Sequence, residues 1–153
     1  MIMAFIFVQS AFPATLSSAE SDPIALWLTT WLPLDLDAAT FLIRKLGHFT
    51  EYAVLGASLM LTVNSWWPRR AGTGKAEQAQ RFAGKQLAAA WIIGSLYAVT
   101  DEVHQLFVEG RSCEFRDMCI DAAGVALGAV IIFIWILQKL KKWQNSNCGN
   151  TFE

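Results

Sequence analysis

Four apolar stretches separated by polar ones run along the chain, and this pattern predicts a bundle of membrane-crossing helices. A helix needs about 20 apolar residues to cross a bilayer core of about 30 Å. Three stretches approach that length, at about residues 40–66, 87–107 and 118–138. The first stretch, residues 1–16, is shorter, and we interpret it as a short span that Pro13 ends or bends. The predicted fold is all-α, a small membrane bundle of four transmembrane helices.

The segment between the first two predicted spans has a different character. Asp22-Pro23 fits a turn followed by a helix with proline at its first position. The stretch IALWLTTWL that follows is too short to span a bilayer, and its two tryptophans favour the membrane interface. We therefore expect a short interfacial helix here, which Pro33 ends, with Asp37 as the cap of the next helix.

The composition agrees with a location in a membrane, and we therefore expect membrane lipids to surround the protein. Hydrophobic residues make up 54% of the 153 residues and charged residues 16%, whereas a soluble domain carries roughly 25% charged residues. The length fits one domain. A net charge of -1 gives no reason to expect a nucleic-acid partner. Three cysteines without a CxxC spacing indicate neither a zinc site nor a disulfide framework.

The charged residues are unevenly distributed about the predicted spans. Eight of the 12 basic residues lie between the second and third spans or after the fourth. Eleven of the 13 acidic residues lie on the other side, or within the membrane near it. The positive-inside rule then predicts that both termini and the middle loop are cytoplasmic, with a polar cytoplasmic tail over residues 143–153.

Ionisable residues cluster where the second predicted span begins on the outer side. In RKLGHFTEY, spacings of four and three put Arg44, His48 and Glu51 on one helix face, which Tyr52 flanks. Ionisable groups at membrane depth are costly, and they are therefore usually functional or tightly paired.

A second cluster lies at the outer end of the third predicted span. In TDEVHQLF, Asp101, His104 and Gln105 share a helix face, and Glu102 points aside. Because the second and third spans would run antiparallel, both clusters should lie at the same depth. A shared polar pocket is the expected result.

A third polar strip begins the fourth predicted span. Asp117 and Asp121 continue on one face into Gly124 and Gly128. Small residues at this spacing allow close helix approach, which would bring Asp121 against its neighbours.

Several chemistries remain open for the shared pocket. A histidine oriented by a carboxylate suits acid–base catalysis, and the HxxE and DxxH spacings also suit a divalent metal. Arginines suit capture of a phosphate or carboxylate, and a purely structural ion-pair network is the remaining alternative. The candidate catalytic residues are His48, Glu51, Asp101, Glu102 and His104. The candidate substrate-binding residues are Arg44, Lys45, Tyr52, Gln105, Arg111, Asp117 and Asp121.

Three separated motifs resemble the VanZ-like family of bacterial membrane proteins. They are RKLGHFTEYAVLG, YAVTDEVHQLFVEGR and FRDMCIDAAGVALG, which together cover residues 44–128 in order. The stretch SAFPATLSS also resembles a serine-rich segment of that family, and Asp121 stands where the family pattern has asparagine. The resemblance implies a transmembrane domain over residues 1–142 in the bacterial cytoplasmic membrane. The family takes its name from a member linked to resistance to teicoplanin, a lipid-bearing antibiotic.

Three functions fit these observations. The first is an enzyme that acts at the outer leaflet on a lipid-linked or amphiphilic cell-envelope molecule or antibiotic. The second is a non-catalytic binder of lipid head groups or amphiphiles. The third, a proton-coupled carrier, is the weakest because no polar path continues along the second and third spans towards the cytoplasm.

Overall fold

The computed structural model describes residues 1–66 and 76–149, and within these ranges every regular element is an α-helix. The all-α expectation is therefore confirmed. The helices are α1 (Ile2–Ser10), α2 (Ala14–Thr29), α3 (Leu36–Trp66), α4 (Ala76–Gln105) and α5 (Phe115–Gly149).

One helix of the described part is long and apolar enough to cross a membrane, over Phe115–Lys142. This segment contains the fourth predicted span. The 31 residues of α3 and the 30 of α4 are also long enough, since each helix measures about 45 Å at about 1.5 Å per residue. Polar residues such as Glu51 and Asp101 interrupt their apolar stretches. The other three spans therefore stay a prediction.

The N-terminal apolar stretch is two helices, which corrects the single span expected over residues 1–16. The nine residues of α1 extend only about 14 Å, and the helix ends at Ser10. Pro13 has no backbone N–H to continue that helix, and it instead precedes the first turn of α2.

Two further expectations about this region are wrong. The chain makes no turn at Asp22-Pro23, because α2 passes through Pro23 and packs against α3. A hydrogen bond from Thr40 Oγ1 to Asp22 Oδ1 (3.2 Å) joins the two helices at that level. The cap of α3 is Asp35, whose Oδ1 accepts from the backbone N–H of Ala38 at 2.7 Å. Asp37 lies inside the first turn.

The structure also extends two elements beyond their predicted limits. Helix α4 begins at Ala76, about three turns before the predicted start at residue 87. Helix α5 continues to Gly149, through most of the segment predicted as a tail. The sequence also predicts Trp67 as an anchor at the membrane interface and Pro68 as the end of the second span, and both residues lie outside the described part of the chain.

Helices α3 and α5 lie parallel with their backbones in direct contact. A Cβ atom at Gly124 would lie 2.6 Å from the carbonyl oxygen of Phe49, and one at Gly128 would overlap the backbone of Ala53. Gly56 of α3 meets the backbone of Val125 in the same way. This is the close approach that the glycine spacing predicts. It brings the polar first turns of α3 and α5 to one end of the bundle.

The apolar core fills the remainder of the bundle below those turns. One buried cluster combines α1, α3, α4 and α5, and a second combines α3, α4 and α5 further from the cavity. Their buried members are Ile6, Tyr52, Leu55, Ala98 and Val125 in the first cluster, and Met60, Ala90, Ala129 and Ile136 in the second.

Candidate functional site

A polar cavity of about 200 Å³ lies where α3 begins, α4 ends and α5 begins. The loop between α4 and α5 forms another wall of it. Because α4 runs antiparallel to α3 and α5, the three sequence clusters converge at this end. The predicted site residues that line the cavity are Arg44, Lys45, His48, Glu102, Gln105, Arg111, Asp117 and Asp121.

The α4–α5 loop reaches the cavity through a tight turn. Backbone hydrogen bonds at 3.0–3.3 Å continue from the end of α4 to the N–H of Arg111. Gly110 has φ 74°, a left-handed conformation that glycine adopts without steric cost. This turn directs Gly110, Arg111 and Ser112 into the cavity wall.

Neutral oxygen acceptors hold the Arg111 guanidinium. Its Nε donates to the backbone carbonyl of Phe12 at 3.0 Å, and its Nη1 donates to Gln105 Oε1 at 3.4 Å. Burial lowers the pKa of Arg111 below its usual value, and the nearby positive charge of Arg44 lowers it further. Among the described residues, no carboxylate forms an ion pair with either arginine. Two adjacent arginines thus face the same cavity without a counter-charge in contact.

The other basic residues near the cavity are paired. Lys45 Nζ forms an ion pair with Asp117 Oδ2. Arg116 pairs with Glu114 at 3.0 Å on the exposed rim. Both Lys45 and Arg116 also lie 5.2 Å from the ring centroid of Phe41, a cation–π distance.

Two buried carboxylates also line the cavity. Glu102 and Asp121 are 2% and 1% exposed. Glu102 Oε2 accepts from the backbone N–H of Glu114 at 3.2 Å. In the described part of the chain, Asp121 Oδ1 has no hydrogen-bond partner.

Asp101 and Tyr52 lie beneath the cavity and do not line it. Asp101 Oδ2 accepts from Ser10 Oγ at 2.8 Å and from Gln105 Nε2 at 3.4 Å. The Tyr52 hydroxyl interacts electrostatically with Asp101 and is buried. Asp101 is joined to the cavity through Gln105, which accepts a hydrogen bond from Arg111, and its charge acts on the cavity residues His48 and Asp121.

His104 and Glu51 lie apart from the cavity, which corrects the expectation that both histidines share one pocket. The ring of His104 stacks on Phe7 of α1, with centroids 4.2 Å apart. Glu51 borders a separate apolar groove of about 400 Å³ between α1 and α3, together with Ile2, Phe5 and Val54. Both are displaced because α1 packs on α3 and α4, and the sequence gives no periodic signal for that contact.

Within the described ranges, no group of three or more histidine, cysteine, aspartate or glutamate residues is arranged to hold a metal ion. Cys113 and Cys119 are both free thiols.

Sequence reasoning missed several contributors to the site, among them one backbone carbonyl and two polar side chains. Ser10 and the carbonyl of Phe12 come from the N-terminal region, and Glu114 from the loop. Ser10 had a signal, since it is a polar residue in an apolar stretch and begins the serine-rich segment. The carbonyl of Phe12 had none, because any residue carries one.

The comparisons with known proteins give one match. A family model described as VanZ/LLP1 matches residues 1–137. No curated protein and no solved structure matches the chain.

Proposed function

The chain belongs to the VanZ/LLP1 family, and from that premise we propose that its cavity binds the anionic head group of an amphiphile in the membrane. The amphiphile is a lipid-linked or otherwise lipid-bearing cell-envelope molecule or antibiotic, and the protein acts on it at the outer leaflet. The observation that carries this proposal is the pair Arg44 and Arg111, which line one cavity and have no ion-pair partner among the described residues.

Two unpaired arginines in a cavity favour an anion because they repel each other. Burial and the charge of Arg44 both disfavour the charged form of Arg111 and lower its pKa. A phosphate or carboxylate between the two guanidinium groups would remove that repulsion. Each planar guanidinium can also donate two parallel hydrogen bonds to such a group.

The amphiphilic character of the ligand follows from the surroundings of the cavity. Phe41 lines it, is 47% exposed, and begins an exposed apolar strip that includes Leu42 and Leu46. The outer faces of α4 and α5 are also apolar, with Ile92, Leu96, Ile131 and Ile134 among their exposed residues. Apolar side chains on the outside and charged ones within one end of the bundle are typical of a membrane protein. An acyl chain would lie beside the strip while its head group enters the cavity.

Charge supports the outer location of the cavity. The basic residues of the middle loop, and Lys139, Lys141 and Lys142 near the end of α5, are remote in sequence from the cavity residues. The positive-inside rule assigns the basic end to the cytoplasm and the cavity to the outer face. We accordingly propose a multi-pass protein of the bacterial cytoplasmic membrane with the middle loop and the end of α5 inside.

Acid–base chemistry would depend on His48. It lines the cavity, and both Arg111 and Asp101 interact with it electrostatically. An imidazole can both accept and donate a proton, so His48 is the residue that we assign to proton transfer. Glu102 and Asp121 are the carboxylates available in the cavity wall.

A specific observation also favours the second candidate, a non-catalytic binder. His104 and Glu51, two of the expected acid–base residues, do not line the cavity. The predicted basic residues Arg44, Lys45 and Arg111 all line the cavity, whereas only some of the predicted acid–base residues do. Capture of the amphiphile without chemical change would need only the arginines.

Binding can be tested with dodecyl phosphate and the full-length protein in nanodiscs. We expect Arg44→Ala and Arg111→Ala each to weaken binding by about tenfold or more, because a charge-assisted hydrogen bond contributes about 1.5–3 kcal/mol. Arg116→Ala is the matched control, since Arg116 is exposed and paired with Glu114. Equal affinity of all four proteins would refute the proposal.

A second experiment separates the two candidate functions. Lipid extracts of a deletion strain are compared by mass spectrometry after expression of the wild-type protein or of His48→Gln. If the protein is an enzyme, the amount of one lipid species should change when the wild-type protein is expressed but not when His48→Gln is expressed. If the protein is a binder, both strains should have the same lipid profile, and the variant should keep its affinity for dodecyl phosphate.

A further inference from the structure

Opposite charges face the same cavity without pairing with each other. Arg44 and Arg111 form the basic part of its wall, and Glu102 and Asp121 form an acidic part. In the described part of the chain, the ion pairs formed by cavity residues are Lys45–Asp117 and the rim pair Arg116–Glu114. A ligand that carries both signs would satisfy both parts at once.

Asp121 is the residue that demands a partner in the acidic part of the wall. It is 1% exposed, it lines the cavity, and its Oδ1 accepts no hydrogen bond from any described residue. Nearly all buried side-chain oxygens have a partner, and a buried carboxylate is stable only with a donor or a cation beside it. The free oxygen therefore indicates a donor that belongs to the ligand.

The neighbours of Asp121 favour a cationic donor over a neutral one. Glu102, Asp101 and Asp117 all add negative potential at Asp121. Lys45 relieves little of it, because its ammonium is held on Asp117 Oδ2, and the other oxygen of Asp117 also lacks a partner among the described residues. A positive charge at this part of the wall is attracted by three carboxylates, whereas a hydroxyl gains only one hydrogen bond.

We propose, resting on the proposed function, that the head group in the cavity is zwitterionic. Its phosphate or carboxylate lies between Arg44 and Arg111, and its ammonium lies against Asp121 and Glu102. A cavity of about 200 Å³ suits a compact head group such as phosphoethanolamine.

The test compares soluble head-group probes on the full-length protein in nanodiscs. The probes are phosphoethanolamine, ethyl phosphate and glycerol 1-phosphate, which share a phosphate and differ in the second group. We expect phosphoethanolamine to bind about tenfold or more tightly than either other probe. Asp121→Asn should reduce that preference to about twofold or less while the affinity for ethyl phosphate stays the same.

Two further variants keep the result interpretable. Glu109→Gln removes a carboxylate from the same loop without touching the cavity lining, and it should retain the full preference. Asp121→Glu keeps the charge and should retain a preference for phosphoethanolamine. Circular dichroism and size-exclusion chromatography on each variant report whether the bundle is intact.

The outcomes distinguish this inference from the function on which it rests. If Arg44→Ala lowers the affinity for ethyl phosphate but phosphoethanolamine binds no more tightly than ethyl phosphate, the proposal of a zwitterionic head group is refuted and the proposal of an anion site stands. An advantage that survives Asp121→Asn, or an equal advantage for glycerol 1-phosphate, refutes the zwitterionic head group as well. If no probe binds in an arginine-dependent manner, the proposed function fails and the inference fails with it.

Discussion

The hydroxyl of Ser10 donates a 2.8 Å hydrogen bond to Oδ2 of Asp101, and this contact joins α1 to the floor of the cavity. Both side chains are 1% exposed. The same carboxylate oxygen accepts from Gln105, which in turn accepts from Arg111. The first helix is thereby connected to an arginine of the proposed anion site.

Replacement of this serine should destabilise the protein measurably. Ser10→Ala removes a donor from a buried carboxylate, and we expect the free energy of unfolding to fall by about 1–3 kcal/mol. Denaturant unfolding in detergent micelles, followed by circular dichroism, measures this change.

The control for that measurement is Ser65→Ala. Ser65 lies on the exposed side of α3, and its hydroxyl donates to the carbonyl of Thr62 in its own helix at 2.8 Å. We expect a change below about 0.5 kcal/mol there. A loss at Ser10 no larger than that at Ser65 would contradict a structural role for the bond to Asp101.

Much of the site could be predicted because helical periodicity is local. The spacing of Arg44 and His48, and the antiparallel order of the helices, suffice to bring α3 and α4 residues to one end. Gly124 and Gly128 likewise carry the α3–α5 contact in their own spacing. These features depend on residues within a few turns of one another.

The parts that could not be predicted depend on how α1 packs. Nothing near His104 indicates that Phe7 will cover its ring, because that contact joins residues about a hundred positions apart. The break between α1 and α2 lies next to Pro13, where the sequence predicts an end or a bend, but the sequence did not indicate that a new helix begins at Ala14. The prediction of a turn at Pro23 was wrong because sequence rules treat a proline as a helix boundary. In the structure α2 continues through Pro23 and packs on α3.

Replacing Gly128 with a residue that has a side chain should push α3 and α5 apart. A Cβ atom there would overlap the carbonyl oxygen of Ala53, and backbone cannot move aside as a side chain can. We expect Gly128→Ala to lower the free energy of unfolding by about 1–3 kcal/mol. Gly47→Ala is the matched control, since a Cβ at Gly47 meets nothing within 4 Å, and it should be neutral or stabilising by up to about 1 kcal/mol. Equal effects at both glycines would contradict the close helix contact.

The ion pair between Lys45 and Asp117 should show measurable coupling in a double-mutant cycle. Its side chains are 23% and 13% exposed, so solvent screens them only in part. For Lys45→Met and Asp117→Asn we expect a coupling of about 1 kcal/mol or more in the unfolding free energy. The rim pair Arg116–Glu114 is 62% and 45% exposed and should give less than about 0.5 kcal/mol. Additive effects of the Lys45 and Asp117 substitutions would show that the pair does not hold α3 to α5.

Gly110 should couple the loop conformation to anion binding. Its φ of 74° is strained for any residue with a Cβ, so Gly110→Ala should cost about 1 kcal/mol of stability. The neighbouring Arg111 would shift as the turn relaxes, and its bonds to Phe12 and Gln105 would weaken. We therefore expect lower affinity for dodecyl phosphate in this variant, whereas Gly47→Ala should bind like the wild type. Unchanged affinity together with the expected loss of stability would mean that the turn holds the fold but does not position Arg111.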